Sequence, residues 1–333
     1  MNAQVEWLGG ADQEQRAAFK RSLTVGNAGT VLLQTTISKV VQMLTNRALG
    51  IQSTLPRRAG SGDGFHSNRR TAATTGAEWV PDTGSATNSE GAYTQVTYTY
   101  QTLLGQIKVT RKLVARGRSY GDVLATELIG KADDFTTQLE NGSVVGNSAV
   151  NANQIDGLLT LIGMVAGQTI ANTTVAGGDS LYLDKADEAI QTVKGSSNKA
   201  AMRIYGSFKG QRLLNNALQA QQRFMKEGFE IEGGFVVASY QGIPVIESTE
   251  IPDDLLYVAA PGAGVTKFTA FTGGATTALI FVNTQYVFYS ELTPMTVMPL
   301  AKTSSQFDLV DMFLDIALCL DNDKGASILA GLS

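Results

Sequence analysis

Histidine and cysteine are almost absent from this chain: its 333 residues contain one of each, His66 and Cys319. A disulfide framework within one chain is excluded, and two such residues so far apart do not make a zinc set. A histidine-based triad needs an imidazole held by a partner. His66 lies in a Gly/Ser-rich loop, GDGFHSN, which is poor ground for one. Cys319 falls in the apolar run ALCL and reads as a small buried hydrophobe. Long apolar runs are missing too. No stretch of 18 or more apolar residues occurs, so no membrane-spanning helix is expected. Residues 1–20 are polar and charged, without a secretory signal, which points to synthesis and folding in a reducing cytoplasm.

Charge is sparse. Asp, Glu, Lys and Arg make up 17% of the chain, against about 25% in ordinary globular proteins. With 35 glycines and many Thr, Ser, Asn and Gln, this composition suits broad surfaces buried against other protein. An excess of positive charge is also lacking: net charge is −4 and the pI is near 5.2. Proteins that grip nucleic acid are normally basic, so any nucleic acid this chain surrounds is held without tight binding.

The motifs of chemistry are missing as well. There is no Walker loop, no nucleophile elbow and no HExxH pair. Gly262-x-Gly264 lacks the third glycine of a dinucleotide loop. Asp311 and Asp315 share one face of a predicted strand, and Asp133 and Asp134 lie along a predicted helix, as carboxylates available for pairing. Asp321-Asn-Asp-Lys-Gly325 is similar to a calcium loop but lacks its third ligand and its closing glutamate. A turn after a strand explains it more simply, with a bound cation the alternative. No enzyme activity and no cofactor is expected.

What is present is periodicity. Asp12–Ser22 and Val31–Leu49 carry helical patterns. Residues 56–76 read as a loop holding two arginine pairs, Arg57/Arg58 and Arg69/Arg70. From about 77 to 113 a long β-hairpin is expected. Val96, Tyr98 and Tyr100 alternate with polar residues on one arm, Ile107 and Val109 on the other, and a small polar loop joins them. Ser119, with Asp122 three positions on, opens a helix with one apolar stripe (Leu124, Leu128, Ala132, Phe135, Leu139) that ends near Asn141-Gly142. One stripe alone would lay it along a surface. Beyond it, helices are expected over about 180–193 and 209–218. Strands are expected over 202–205, 235–238, 243–246, 255–259, 279–282, 286–289 and 307–320. Without a regular βαβ period, the class is α+β.

A lone two-stranded ribbon is marginal in water and its edges invite pairing with other chains. Ala77-Glu-Trp-Val-Pro-Asp-Thr-Gly84, Tyr93-Thr-Gln-Val-Thr-Tyr98 and Ile107–Leu113 supply the features by which the chain resembles the major capsid protein of tailed bacteriophages, the Hong Kong-type shell fold. Gly146-Asn with Ile155-Asp-Gly-Leu-Leu159, and Gln241-Gly-Ile-Pro-Val-Ile-Glu-Ser248, carry the resemblance further, over roughly 30–320. It implies an N-terminal arm (1–76), an extended loop (77–113) and a peripheral domain (114–175) with a spine helix at about 119–141. An axial domain follows (176–240, extending with interruptions to about 285), then return strands of both domains (241–333).

The resemblance further implies a structural subunit that assembles as hexamers and pentamers into an icosahedral shell around double-stranded DNA, in the virion. Partners would be other copies of the chain, a portal, a separate scaffolding protein (the chain begins almost at its arm) and decoration proteins. Contacts between subunits are expected at Trp79, Pro81, Asp82, Tyr93, Tyr98 and Tyr100, and at Arg57, Arg58, Arg69 and Arg70. Some relatives cross-link a lysine of the extended loop; Asp82–Ala92 has no lysine, so that chemistry is not carried over. An encapsulin-like compartment with an enzyme cargo is the alternative. A secreted structural module and an enzyme with a carboxylate site are weaker rivals.

Overall fold

The computed structural model describes residues 48–72, 78–85, 90–117, 123–165, 167–172, 178–220, 226–231, 235–257, 268–270, 274–300 and 306–333. The helices expected before residue 48, the Ser119 helix start and the Gly262-x-Gly264 loop lie outside them. Along the chain come α1 (Gly50–Thr54), β1 (Arg57–Ala59), β2 (Gly64–Ala72), β3 (Ala92–Thr99), β4 (Gln101–Thr110), α2 (Arg111–Gly117) and α3 (Val123–Val145). Then follow α4 (Leu158–Gly163), β5 (Thr169–Ala171), α5 (Leu183–Thr192), β6 (Met202–Gly206), α6 (Phe208–Ala220), β7 (Lys226–Ile231), β8 (Phe235–Tyr240) and β9 (Ile243–Glu247). The last are β10 (Leu256–Tyr257), β11 (Phe268–Ala270), β12 (Thr277–Asn283), β13 (Val287–Pro299), β14 (Phe307–Leu320) and β15 (Ala326–Leu332). The mixed class is as expected.

Two sheets organise these elements. One has seven strands in the order β5-β15-β12-β6-β9-β8-β7, and the other four in the order β1-β13-β14-β4. The centre of the first is fully covered, since every residue of β12 (TALIFVN) and β15 (ASILAGL) is buried. Continuous apolar runs suit strands covered on both faces. Alternation along β12 divides the cover. Leu279 and Phe281 meet Ala186, Ala189 and Ile190 of α5 and Leu214 and Leu218 of α6. Ala278, Ile280 and Val282 face a larger core shared with Met312, Leu314, Ile316 and Leu318 of β14 and Phe135, Leu139 and Val144 of α3. This shared core joins the two sheets. Each fully buried Leu, Ile or Phe in it contributes about 1.5–3 kcal/mol.

Local chemistry sets several boundaries. Ser207 precedes α6 and accepts the Gly210 N–H at 3.1 Å, an N-cap. Gln241 and Gly242 both take positive φ (53° and 80°), so SYQG closes β8 on β9 through a tight two-residue turn. The α3 helix runs past its expected stop at Asn141-Gly142. A Cβ on Gly142 would meet Ile155 at an ordinary 3.7 Å, whereas one on Gly146 would lie 2.2 Å from the Ile155 carbonyl oxygen. The residue the turn needs bare is therefore Gly146. The helix also departs from a surface rod: over 125–134 exposed and half-buried residues mix, with Leu128 and Ala132 against the core, and its last turns, with Leu139, Ser143 and Val144, sink into the core.

The expected hairpin is corrected. Strand β3 does not pair with β4. It pairs antiparallel with β2, from Gly64 opposite Thr99 to Ala72 opposite Ala92. Residues 57–59 and 64–72, read as loop from their Gly, Ser and Arg content, are thus strands. The chain leaves the ribbon at Tyr100, and β4 pairs with β14 over Gln101–Thr110. Alternation told the faces of β3 and β4 correctly. The partner of each strand lies in segments whose polar composition hid it or whose sequence distance put it out of reach of a local pattern.

Candidate assembly interface

The β2–β3 ribbon stands on the four-stranded sheet, fastened at its base and bare at its end. Phe65 meets Phe288 edge to face, with centroids 5.1 Å apart, and Tyr98 and Tyr100 cover Ala317 and Cys319. The Tyr98 hydroxyl donates to the Leu320 carbonyl at 2.7 Å, and Tyr100 shares a 2.9 Å hydrogen bond with Ser290. Ser67 donates to Asp321 Oδ1 at 2.6 Å, while Arg69 bonds Asp323, the Leu320 carbonyl and Tyr98 Oη. Burial pushes the Tyr98 phenol up against the opposing pull of Arg69. Burial also pushes the Cys319 thiol up to about 12.

Strand β1 is fastened in the same way. Arg57 pairs with Glu291 at 2.5 Å and lies over the Tyr289 ring; Arg58 stacks 3.6 Å from the Phe288 centroid and donates to the Gln285 carbonyl. All four arginines expected at contacts between subunits therefore have interactions inside their own chain. Arg70 is exposed on β2 opposite Tyr93. Tyr98 and Tyr100 are base residues as well. At the far end, Trp79 is fully exposed (105%), Tyr93 is 72% exposed, and Val80, Pro81 and Asp82 are exposed beside them. A turn at 81–84 closes through Gly84 N–H to the Pro81 carbonyl at 2.8 Å.

The sheet that carries the ribbon is covered only in part. Cross-strand register puts Thr102, Leu104, Gln106 and Lys108 of β4 on one face with Asp315, Phe313, Asp311 and Leu309 of β14 and Met298 of β13. The ribbon base covers the neighbouring stretch of this face at Ala317 and Cys319. Beyond it, Leu104 is 60% exposed, Met298 is exposed, and Phe313 and Leu309 are half-buried. The opposite face lies against α3.

The chemical groups singled out in the sequence have other partners among the described residues. His66 contacts Thr97 and Asp63 in the open. Asp311 and Asp315 accept from Gln106 and Thr102 across the sheet. Asp321 and Asp323 serve Ser67 and Arg69, and Asn322 accepts the Lys324 N–H, as a turn would. Among the described residues no cluster of three or more His, Cys, Asp or Glu is placed to hold a metal ion. No helix there is long and apolar enough to cross a membrane. Sequence reasoning passed over the Ser67–Asp321 and Arg69–Asp323 ties; a spacing of 254 residues leaves no local signal for either.

Comparison with known proteins gives these surfaces a context. A family model described as the phage capsid family matches residues 28–297. The fold is similar to the capsid of a native GTA particle, with TM-score 0.68 and 14% identity over 93% of this chain and 98% of that one. It is similar to the capsid of cyanophage A-1(L), with TM-score 0.67 and 10% identity over 91% and 98%. It also resembles the SrpI encapsulin of Synechococcus elongatus PCC 7942, with TM-score 0.65 and 13% identity over 92% and 95%. No curated protein matches the chain by sequence.

Proposed function

From the premise that this chain belongs to the phage capsid family, as a structural subunit of an icosahedral shell, we propose that it closes that shell as hexamers and pentamers around double-stranded DNA. The seven-stranded sheet with α5 and α6 is the axial domain, the four-stranded sheet with α3 as its spine is the peripheral domain, and the β2–β3 ribbon is the extended loop. The observation that carries the reading is the ribbon itself. Its base is fixed by an ion pair, hydrogen bonds and aromatic contacts, and its end presents Trp79, Val80 and Tyr93 to no partner within the described chain.

In the shell, that end lies over an adjacent subunit. The uncovered face around Leu104, Phe313 and Met298 is the matching acceptor. Each contact is modest, since an ordinary interface removes about 1,600 Å² in total; several per subunit, closed by symmetry, give a firm shell. A net charge of −4 leaves packaged DNA free to slide. The subunit is made in the host cytoplasm and ends in the virion, with a portal, a scaffolding protein and decoration proteins as its other partners.

The test is to replace residues 73–91 by an Asn-Gly turn, which closes Ala72 and Ala92 into a plain hairpin. The variant should stay folded and soluble and make no particles by negative-stain microscopy. Normal particles would refute the role given to the ribbon. The likeness to an encapsulin favours one second reading, a compartment for protein cargo. Nucleic acid inside purified particles selects the virus; a co-purifying enzyme selects the compartment.

A further inference from the structure

Glu140, on the inner half of α3, is fully buried (0% exposed) and makes no ion pair among the described residues. Its carboxylate is met by donors instead. The Ile51 N–H reaches Oε1 and the Gln52 N–H reaches Oε2, both at 2.9 Å, and the Ser248 hydroxyl reaches Oε1 at 2.8 Å. The two amides belong to the first turn of α1, which has no side-chain cap at its own N-cap residue, Leu49. Glu140 therefore does the work of a cap across 89 positions of sequence. A buried charge without a counter-ion is costly unless donors satisfy it. All three can donate at once only to the ionised group. Protonation turns one carboxyl oxygen into a donor, which the Ser248 hydroxyl alone could accept, since both amides can only donate.

The joint also includes the residues just before α1. Ala48 accepts the Thr249 N–H at 3.0 Å, Leu49 bridges Ser248, and α1 follows at once. Among the described residues the rest of the named surroundings is polar and uncharged apart from Glu250. Gln52 donates to the Thr136 carbonyl, Thr54 shares a hydrogen bond with Tyr205, Tyr289 donates to Ser143, and Asn141 donates to Glu250. Among the described residues, the titratable groups that act on Glu140 or feel it are Glu250 from the turn after β9, Tyr205 from β6 and Tyr289 from β13; α1 carries none. Both phenols are driven far above their ordinary range by burial and stay neutral. Burial raises the Glu140 carboxyl above its ordinary range, and the three donors and Glu250 modify that. Burial raises Glu247 as well.

We propose that Glu140 is a charge-operated latch: ionised, it holds α1 against α3 and β9; neutral, it lets α1 detach while both sheets stay folded. The inference does not depend on the shell reading, because the latch lies wholly within one chain.

Amide hydrogen exchange of the full chain tests it, with peptides covering 48–56 and β12 followed from pH 7.5 to pH 4.5 and corrected for intrinsic exchange. In the wild type, 48–56 should lose protection by at least about tenfold on acidification while β12 keeps its own, the signature of local opening. Glu140→Gln should leave 48–56 open already at pH 7.5, with no further response to acid. Ser248→Ala removes one donor to the ionised form and should move the opening midpoint to higher pH, which serves if the glutamine variant fails to fold. Joint loss of protection in 48–56 and β12, a pH response that survives in Glu140→Gln, or an unmoved midpoint in Ser248→Ala overturns the proposal. So does loss of the response in Glu247→Gln, which would make Glu247 the titrating group.

Discussion

Tyr98 donates its hydroxyl to the backbone carbonyl of Leu320, joining the ribbon to the last residue of β14 across 222 positions of sequence. Arg69 binds both partners, so the three groups form one knot under the ribbon.

That knot separates two substitutions. Tyr98→Phe keeps the ring over Cys319 and removes two hydrogen bonds, the one donated to the Leu320 carbonyl and the one accepted from Arg69, a cost of about 1–2 kcal/mol. Arg69→Ala removes the cation beside Asp323 and strips the Leu320 carbonyl of one donor, and should cost about 2–3 kcal/mol, in the range for hydrogen bonds to charged groups. Urea denaturation reads both. Equal losses for the two variants would mean that Arg69 is not part of the knot.

The core and the ribbon end should respond in opposite ways. Phe281 is fully buried at the centre of β12, and Phe281→Ala should cost about 3–5 kcal/mol. Trp79→Ala touches nothing in the described chain and should change stability by less than about 0.5 kcal/mol. Particle yield by electron microscopy should nevertheless fall for Trp79→Ala, because the indole is a large apolar group held out for a neighbour. Calorimetry and particle counts on the same preparations separate stability from assembly.

How far the sequence could be read follows from the range of each signal. The sequence predicts β14 over Phe307–Leu320, as observed, because its Leu, Phe, Ile and Val run shows itself over a few residues. The faces of β3 and β4 were legible for the same reason. Their partners were not: alternation says which way a side chain points, never which strand lies alongside. Ser67 and Arg69, two polar residues in a segment read as loop, turn out to hold the ribbon base. Polar composition marks a loop only when its groups are satisfied by water, and these are satisfied by residues 254 positions on. Glu140 escaped notice likewise, as a glutamate on a helix is ordinarily solvated. Trp79 and its neighbours were legible as a candidate contact because an aromatic beside proline in a polar loop has no core of its own to enter.

Alkaline titration should find Cys319. Its thiol has an ordinary value of 9.0 and is pushed up to about 12 by burial beneath the ribbon. The unfolded chain therefore releases this proton before the folded one does. Below about pH 9 both states hold the proton and the group has no effect; between about 9 and 12 the folded state binds more protons, and stability falls as pH rises. The slope from one such group approaches about 1.4 kcal/mol per pH unit. Cys319→Ala should flatten that part of the stability profile, measured by urea midpoints from pH 8 upward. The same burial keeps the native thiol silent to a disulfide reagent near neutrality.

Two glycines at the end of α3 make the last contrast. Gly142 is an interior helical position where an added Cβ finds Ile155 at 3.7 Å and Gln154 at 3.8 Å, ordinary contacts. Gly142→Ala should therefore stabilise the chain by about 0.5–1 kcal/mol through the reduced entropy of the unfolded state. Four residues on, a Cβ at Gly146 would stand 2.2 Å from the Ile155 carbonyl oxygen and 2.3 Å from that of Gly142. Both are backbone atoms and cannot turn aside as a flexible side chain can. The Gly146 carbonyl is itself engaged, accepting the Gly157 N–H at 2.9 Å and the Thr160 hydroxyl at 2.7 Å, so a shift of this turn would break the bonds that start α4. Gly146→Ala should cost more than about 2 kcal/mol, the range for overpacking with lost hydrogen bonds. Thermal melts of the two variants should move in opposite directions, and parallel shifts would mean that the turn after α3 yields more readily than its backbone contacts imply.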